Sequence, residues 1–136
     1  MDGTPKIPNK MFYDCEALTF VVIPGDTEII EVESFSGCSS LSYIEIPSAV
    51  KTICDKAFYG CSNLSKLYGL VGVTTFGSYV FQGCSNLTDF NFHAPSQLGK
   101  GILEGCVKLQ NLYIDFTNLG GLNEPTDASP SNTSNF

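Results

Sequence analysis

The chain has 136 residues, 43% of them hydrophobic and 15% charged, with a formal net charge of −7, seven lysines and no arginine. Nucleic-acid recognition needs a clustered basic footprint to displace counterions from phosphate, and these lysines are scattered, so that class is set aside together with binding to anionic lipid. No apolar run approaches the ~20 residues of a bilayer span, and the length suits one domain.

The opening MDGTPKIPNK lacks the apolar stretch of a signal peptide. Residues 1–10 are expected to form a partial repeat or an N-terminal cap, because Ile7 already occupies a position that recurs downstream. From there the chain copies itself. FSGCSSL (35–41), FYGCSNL (58–64) and FQGCSNL (81–87) share one frame, and the cysteines fall at Cys15, Cys38, Cys61, Cys84 and Cys106, at intervals of 23, 23, 23 and 22 residues. Three positions before each cysteine stand Phe12, Phe35, Phe58, Phe81 and Leu103, and three after stand Leu18, Leu41, Leu64, Leu87 and Leu109. A period this regular marks a solenoid, since each unit cannot bury its apolar face without stacking on its neighbours. About five units of 22–23 residues fill 11–119, and 120–136, rich in Gly, Pro, Ser, Asn and Thr, reads as a flexible tail.

Within a unit, LSYIEIP (41–47) alternates apolar and polar, the period of a strand with one buried face, and Pro47 ends the pairing. Parallel strands are therefore expected near 18–23, 41–46, 64–69, 87–92 and 109–114. A second extended piece follows near 50–53. DKAFYGC (55–61) then reads as a helical turn closed by Gly60, which accepts a left-handed backbone. Gly37, Gly83 and Gly105 hold the same place in other units, and Asp14 does so in the first. The fold class is thus an α/β-type repeat solenoid, with a parallel sheet on one face and short strands or helical turns on the other.

CSSLSYIEIPSAVKTICDKAFYGC (38–61) carries the pattern Cys-x-x-Leu-x-x-Ile-x-Ile-Pro followed by Val-x-x-Ile-x-x-x-Ala-Phe-x-Gly-Cys. It resembles the BspA-like leucine-rich repeats, also called the Treponema pallidum type, and the resemblance extends over roughly 7–114. It implies a leucine-rich-repeat fold and a non-enzymatic, protein-binding role, commonly at the cell surface or in secretion and, in several members, as an adhesin. The sequence departs from the pattern at Gly69, where an inward aliphatic belongs, and at Leu70 and His93, which replace proline. Gly69 is expected to leave a void that Phe92, the largest residue of the same column, leans back to fill.

Cysteines one coil apart do not have the spacing of zinc ligands and form a ladder of small buried hydrophobes. Adjacent rungs approach disulfide range, but their side chains run side by side, which favours reduced thiols. Cys54 lies off the ladder and is the most accessible candidate. His93, the lone histidine, reads as a solvent-facing turn residue, and Asp26, Glu28, Glu31 and Glu33 as a solvated acidic run without the loop spacing of a calcium site. No catalytic or metal constellation and no cofactor motif emerges. Asn63, Asn86 and Asn132 head glycosylation sequons.

The outward strand positions are Phe20, Tyr43, Lys66, Asp89 and Asn111, five after each cysteine, and Val22, Glu45, Tyr68, Asn91 and Tyr113, seven after. These vary from unit to unit while the inward columns do not. Tyrosine on such a face fits an interface hot spot, and it equally fits the plain preference of aromatics for strands. The expected function is a non-enzymatic protein-binding module of adhesin type, with a protein ligand and no nucleic acid or membrane insertion. The alternative is an intracellular scaffold or assembly component, so a surface or secreted location and a cytoplasmic one both stay open.

Overall fold

Nine short strands stack strictly in parallel in a computed structural model that describes residues 3–115. They are β1 (Lys6–Ile7), β2 (Ile29–Ile30), β3 (Tyr43–Glu45), β4 (Thr52–Ile53), β5 (Lys66–Tyr68), β6 (Thr75–Phe76), β7 (Asp89–His93), β8 (Gln97–Leu98) and β9 (Asn111–Asp115). Each pair is offset by one repeat. Lys6 lies beside Ile29, Ile29 beside Thr52 and Thr52 beside Thr75, and the offset drops to 22 where Thr75 meets Gln97. The result is a parallel β-solenoid of about five turns, and the missing residue between Cys84 and Cys106 is absorbed without loss of register.

The strands are not where the alternation placed the main sheet. The continuous ladder, β1-β2-β4-β6-β8, runs along the leg that precedes each cysteine, where only two residues per coil pair. Along the leg after the cysteine, β3 pairs with β5 and β7 with β9, but the two pairs do not join, and 18–23 forms no strand. No backbone hydrogen bond among the described residues ties 18–23 to β3 or β5 to β7. The expected five-stranded outer sheet is therefore two ribbons and an unpaired segment. One cause is visible at Gly69. Its φ of 90° turns the backbone out of the strand direction, and a 3-10 turn, Leu70–Gly72, replaces the straight exit that Pro47 makes one coil earlier. At 93 the opposite happens. His93 stays in the strand beside Asp115, and Ala94 then donates to the Asp115 carbonyl at 2.8 Å, so this histidine ends a strand rather than sitting in a turn.

The expected helical turns are not helical either. In the corner before Cys38, alternate amides bond in different directions. Ser34 and Ser36 donate three residues back to Glu31 and Glu33, while Phe35 and Gly37 donate to Ala57 and Tyr59 of the next coil, at 2.8 and 2.7 Å. A helix would direct every amide inside its own turn. Two left-handed residues per coil produce the alternation. One slot holds Asp14, Gly37, Gly60, Gly83 and Gly105, and the other Lys10, Glu33, Lys56, Tyr79 and Gly101. The second slot left no glycine pattern to read.

Inside, Ile30, Ile53, Leu41, Leu64, Leu87 and Ile44 are fully buried, and a column of rings runs through the corner. Phe12, Phe35, Phe58 and Phe81 stack at centroid spacings of 5.1, 5.1 and 5.3 Å. The ladder thiols sit against this column. Cys38 Sγ donates to the Phe12 carbonyl at 3.1 Å, Cys61 to Phe35 at 3.2 Å, Cys84 to Phe58 at 3.3 Å and Cys106 to Phe81 at 3.3 Å. Each of these four cysteines therefore fills its corner and also gives its thiol proton to a carbonyl one coil back.

All six cysteines are free, with Cys15 and Cys54 partly exposed and the other four buried. Burial pushes the Cys38 thiol up to about 11 and Cys106 to about 12, and raises Cys61 and Cys84 as well. Cys54 is also raised, first by burial and then by the carboxylates of Glu31 and Asp55. A thiol reagent at neutral pH is expected to label Cys15 and Cys54 in the native chain, slowly at Cys54, and the remaining four only after denaturation. Labelling of Cys61 at the rate of Cys54, or a Cys38–Cys61 crosslink in peptide mapping, would contradict the ladder.

Phe92 is buried, but the atoms nearest to a side chain at 69 are not its own. It packs edge-on to Phe76 at 5.3 Å and beside Phe90 at 4.6 Å. The atoms that a side chain at 69 would meet belong to the backbone of Ile46, one coil back. Gly69 therefore leaves no void; it permits a turn and a close approach, and Leu70 is buried next to it.

Candidate functional site

The outward residues divide among two recesses and a polar strip. The larger recess, about 480 Å³, opens where 18–23 and β3 lie unbonded, with Phe20, Val22, Tyr43 and Glu45 on its walls. Pro47 and Val71 close it from the side, Val71 carried there by the 3-10 turn. The smaller, about 180 Å³, lies between β5 and β7 and is lined by Tyr68, Leu70, Asp89, Asn91 and His93 among others. Lys66, Asn111 and Tyr113 line neither recess.

Phe20, Tyr43 and Tyr68 form a row of rings across the first recess and up to the second. Phe20 stacks on Tyr43 at 6.0 Å and Tyr43 tilts against Tyr68 at 5.8 Å. Phe20, Val22, Tyr68 and Val71 are all more than half exposed, at 57, 74, 52 and 63%, so this half of the face presents apolar surface that the core does not use. Tyr43 is half-buried and donates its hydroxyl to Glu45 Oε2 at 3.2 Å; loss of solvent first, and then Glu45, hold the phenol above its ordinary range. Beyond Tyr68 the character changes. Asp89 accepts from Asn111 at 2.6 Å, and along the neighbouring corner Asn63, Asn86 and Lys108 are linked side chain to side chain. Tyr113, 61% exposed, stands at the far end of the outer ribbon.

Elsewhere the candidate groups do not converge. Glu31, from the acidic run, is joined to Lys6 at 3.1 Å and accepts the Asn9 amide, tying the first two coils together. Among the described residues no three His, Cys, Asp or Glu side chains gather as metal ligands would, and no helix is long and apolar enough to cross a membrane. The tail expected at 120–136 and the Asn132 sequon lie outside the described residues.

Parallel strands at a constant one-repeat offset, a continuous ladder on one leg, and Phe and Cys columns at the corner together define a leucine-rich-repeat β-solenoid. Such stacks present extended surfaces on which partners are recognised. The chain belongs to the BspA type leucine rich repeat family, whose repeat region matches residues 5–121 in six copies. It is similar to a solved leucine-rich-repeat protein of T. pallidum, with TM-score 0.73 and 24% identity over 84% of this chain and 69% of that one. It is also similar to one from Bacteroides ovatus, with TM-score 0.69 and 30% identity, covering 83% of this chain but 29% of the other. No protein of curated function matches.

Proposed function

We propose that the chain is a non-enzymatic protein-binding module whose partner docks on the leg following the cysteines, and that it works at the cell surface as an adhesin. The observation that carries the first part is the row Phe20–Tyr43–Tyr68 beside a recess of about 480 Å³. Large rings held at a surface, on a frame that needs only the inward columns to fold, are the usual anchors of a protein interface. The adhesin role rests on family kinship.

Binding of the purified chain to immobilised matrix proteins (fibronectin, laminin, collagen) tests the reading. Changing Tyr43, Tyr68 and Tyr113 together to alanine is expected to weaken binding at least about tenfold, with an unchanged melting curve. Unaltered affinity, with losses instead from Glu28→Ala and Glu31→Ala, would move the site to the other leg. An intracellular scaffold is the second reading, favoured by six free cysteines, since an oxidising compartment tends to pair thiols. Thiol trapping and glycan mapping at Asn63 and Asn86, on protein from its native source, separate the two.

A further inference from the structure

Glu45 sets a carboxylate among rings. It lies opposite Tyr68 across the β3–β5 pair and two residues from Tyr43, whose hydroxyl it accepts. Among the described residues it forms no ion pair. Phe20, Val22 and Val71 stand around it, and the recess is within the size range of ordinary ligand sites. Such a site attracts a cation in two ways: the carboxylate by its charge, and the ring faces by their quadrupole. The net charge of −7 draws the same kind of partner at longer range.

The backbone adds a second constraint. Ser42 accepts from Lys66 and Ile46 donates to Tyr68, so the residues between them in the pleat, Tyr43 and Glu45, turn their amides and carbonyls toward 18–23. No backbone hydrogen bond from that segment meets them. Phe20, stacked on Tyr43 at 6.0 Å, fills the side that these groups face, so a ligand enters here as a side chain and not as an added strand.

We infer that the recess takes a lysine or arginine side chain of the protein partner. The basic head lies against Glu45, and its methylene stem runs along Phe20, Tyr43 and Val71. This deepens the proposed protein-binding role and rests on it.

Three synthetic pentapeptides provide the test, identical with Thr-Val before and Val-Thr after a central Lys, Met or Glu. The readout is movement of the amide resonances of the full chain. The Lys peptide is expected to shift Tyr43, Glu45 and Tyr68, with affinity that falls as salt rises. The Met peptide is expected to bind about fivefold more weakly or worse, and the Glu peptide not to bind. Glu45→Gln, with an unchanged melting curve, should bring the Lys peptide down to the level of the Met peptide. Equal affinity for Lys and Met in the unmodified chain overturns the inference. So does an unchanged preference in Glu45→Gln, a shift pattern centred elsewhere, or no shift up to about 10 mM peptide. If the triple tyrosine variant loses matrix binding while Glu45→Gln and the Lys peptide show nothing, the face stands and the basic ligand does not. If the triple variant binds normally, the underlying reading falls instead.

Discussion

Gly69→Ile lowers stability by about 3–5 kcal/mol, and Phe92→Ile does not rescue it. Two terms add. At φ 90° a β-branched side chain is strained, and its Cβ is forced onto the carbonyl and amide of Ile46 in the coil below. That neighbour is backbone held by a hydrogen bond from the Ile46 amide to the Tyr68 carbonyl, so it cannot swing aside as a side chain would. Gly69→Ala separates this account from a cavity. If the glycine left a hole, alanine would be neutral or stabilising; here it carries most of the isoleucine cost. Denaturant unfolding of the two single variants and the Gly69→Ile, Phe92→Ile pair decides the matter. Recovery of half the loss in the double variant would restore Phe92 as the neighbour of position 69.

Phe58→Ala is the other large effect, expected at about 3–5 kcal/mol. The ring is fully buried in mid-column, almost parallel to Phe35 (2°) and Phe81 (8°). Its removal opens a cavity and breaks two ring contacts, each worth about 0.5–1.5 kcal/mol beyond burial. Phe12→Ala should cost distinctly less, because Phe12 is partly exposed and the stacking ladder shows one neighbouring ring, Phe35. A double-mutant cycle between Phe35 and Phe58 should report coupling of about 1 kcal/mol, and one between Phe12 and Phe81 almost none. Equal losses at Phe12 and Phe58 would mean that the column is not continuous core.

These residues also separate what the sequence discloses from what it hides. The Phe, Cys and Leu columns were legible because a repeat converts burial into spacing, and each column depends only on the side chain of its own coil. The partition of strands was not, because it depends on which amide meets which carbonyl between coils. LSYIEIP alternates well, yet the uninterrupted ladder passes through TI, II and TF, dipeptides too short to show a period. The corner was read as helical from its length and its closing glycine, while its other left-handed slot is filled by Lys10, Glu33, Lys56 and Tyr79, residues that carry no such signature. At Gly69 the sequence displays only a missing side chain, whereas the feature that acts is the backbone angle the glycine permits. In the larger recess, Phe20, Val22, Tyr43 and Glu45 followed from register alone. Val71 did not, because it reaches the recess from the next coil by way of the 3-10 turn.

The ladder on one leg runs unbroken through five strands, whereas the opposite leg is bonded only from β3 to β5 and from β7 to β9. The coils thus have a stiff spine and a fore-edge with two gaps, like a book bound along one side. Splaying or closing the fore-edge pivots on the spine, where every hydrogen bond keeps its partner, and is taken up at 18–23 and between β5 and β7, where no backbone bond has to break. Changes of curvature are therefore cheapest at the two places where the recesses open. The outer surface can widen or narrow to match a partner's contour at the expense of side-chain contacts alone.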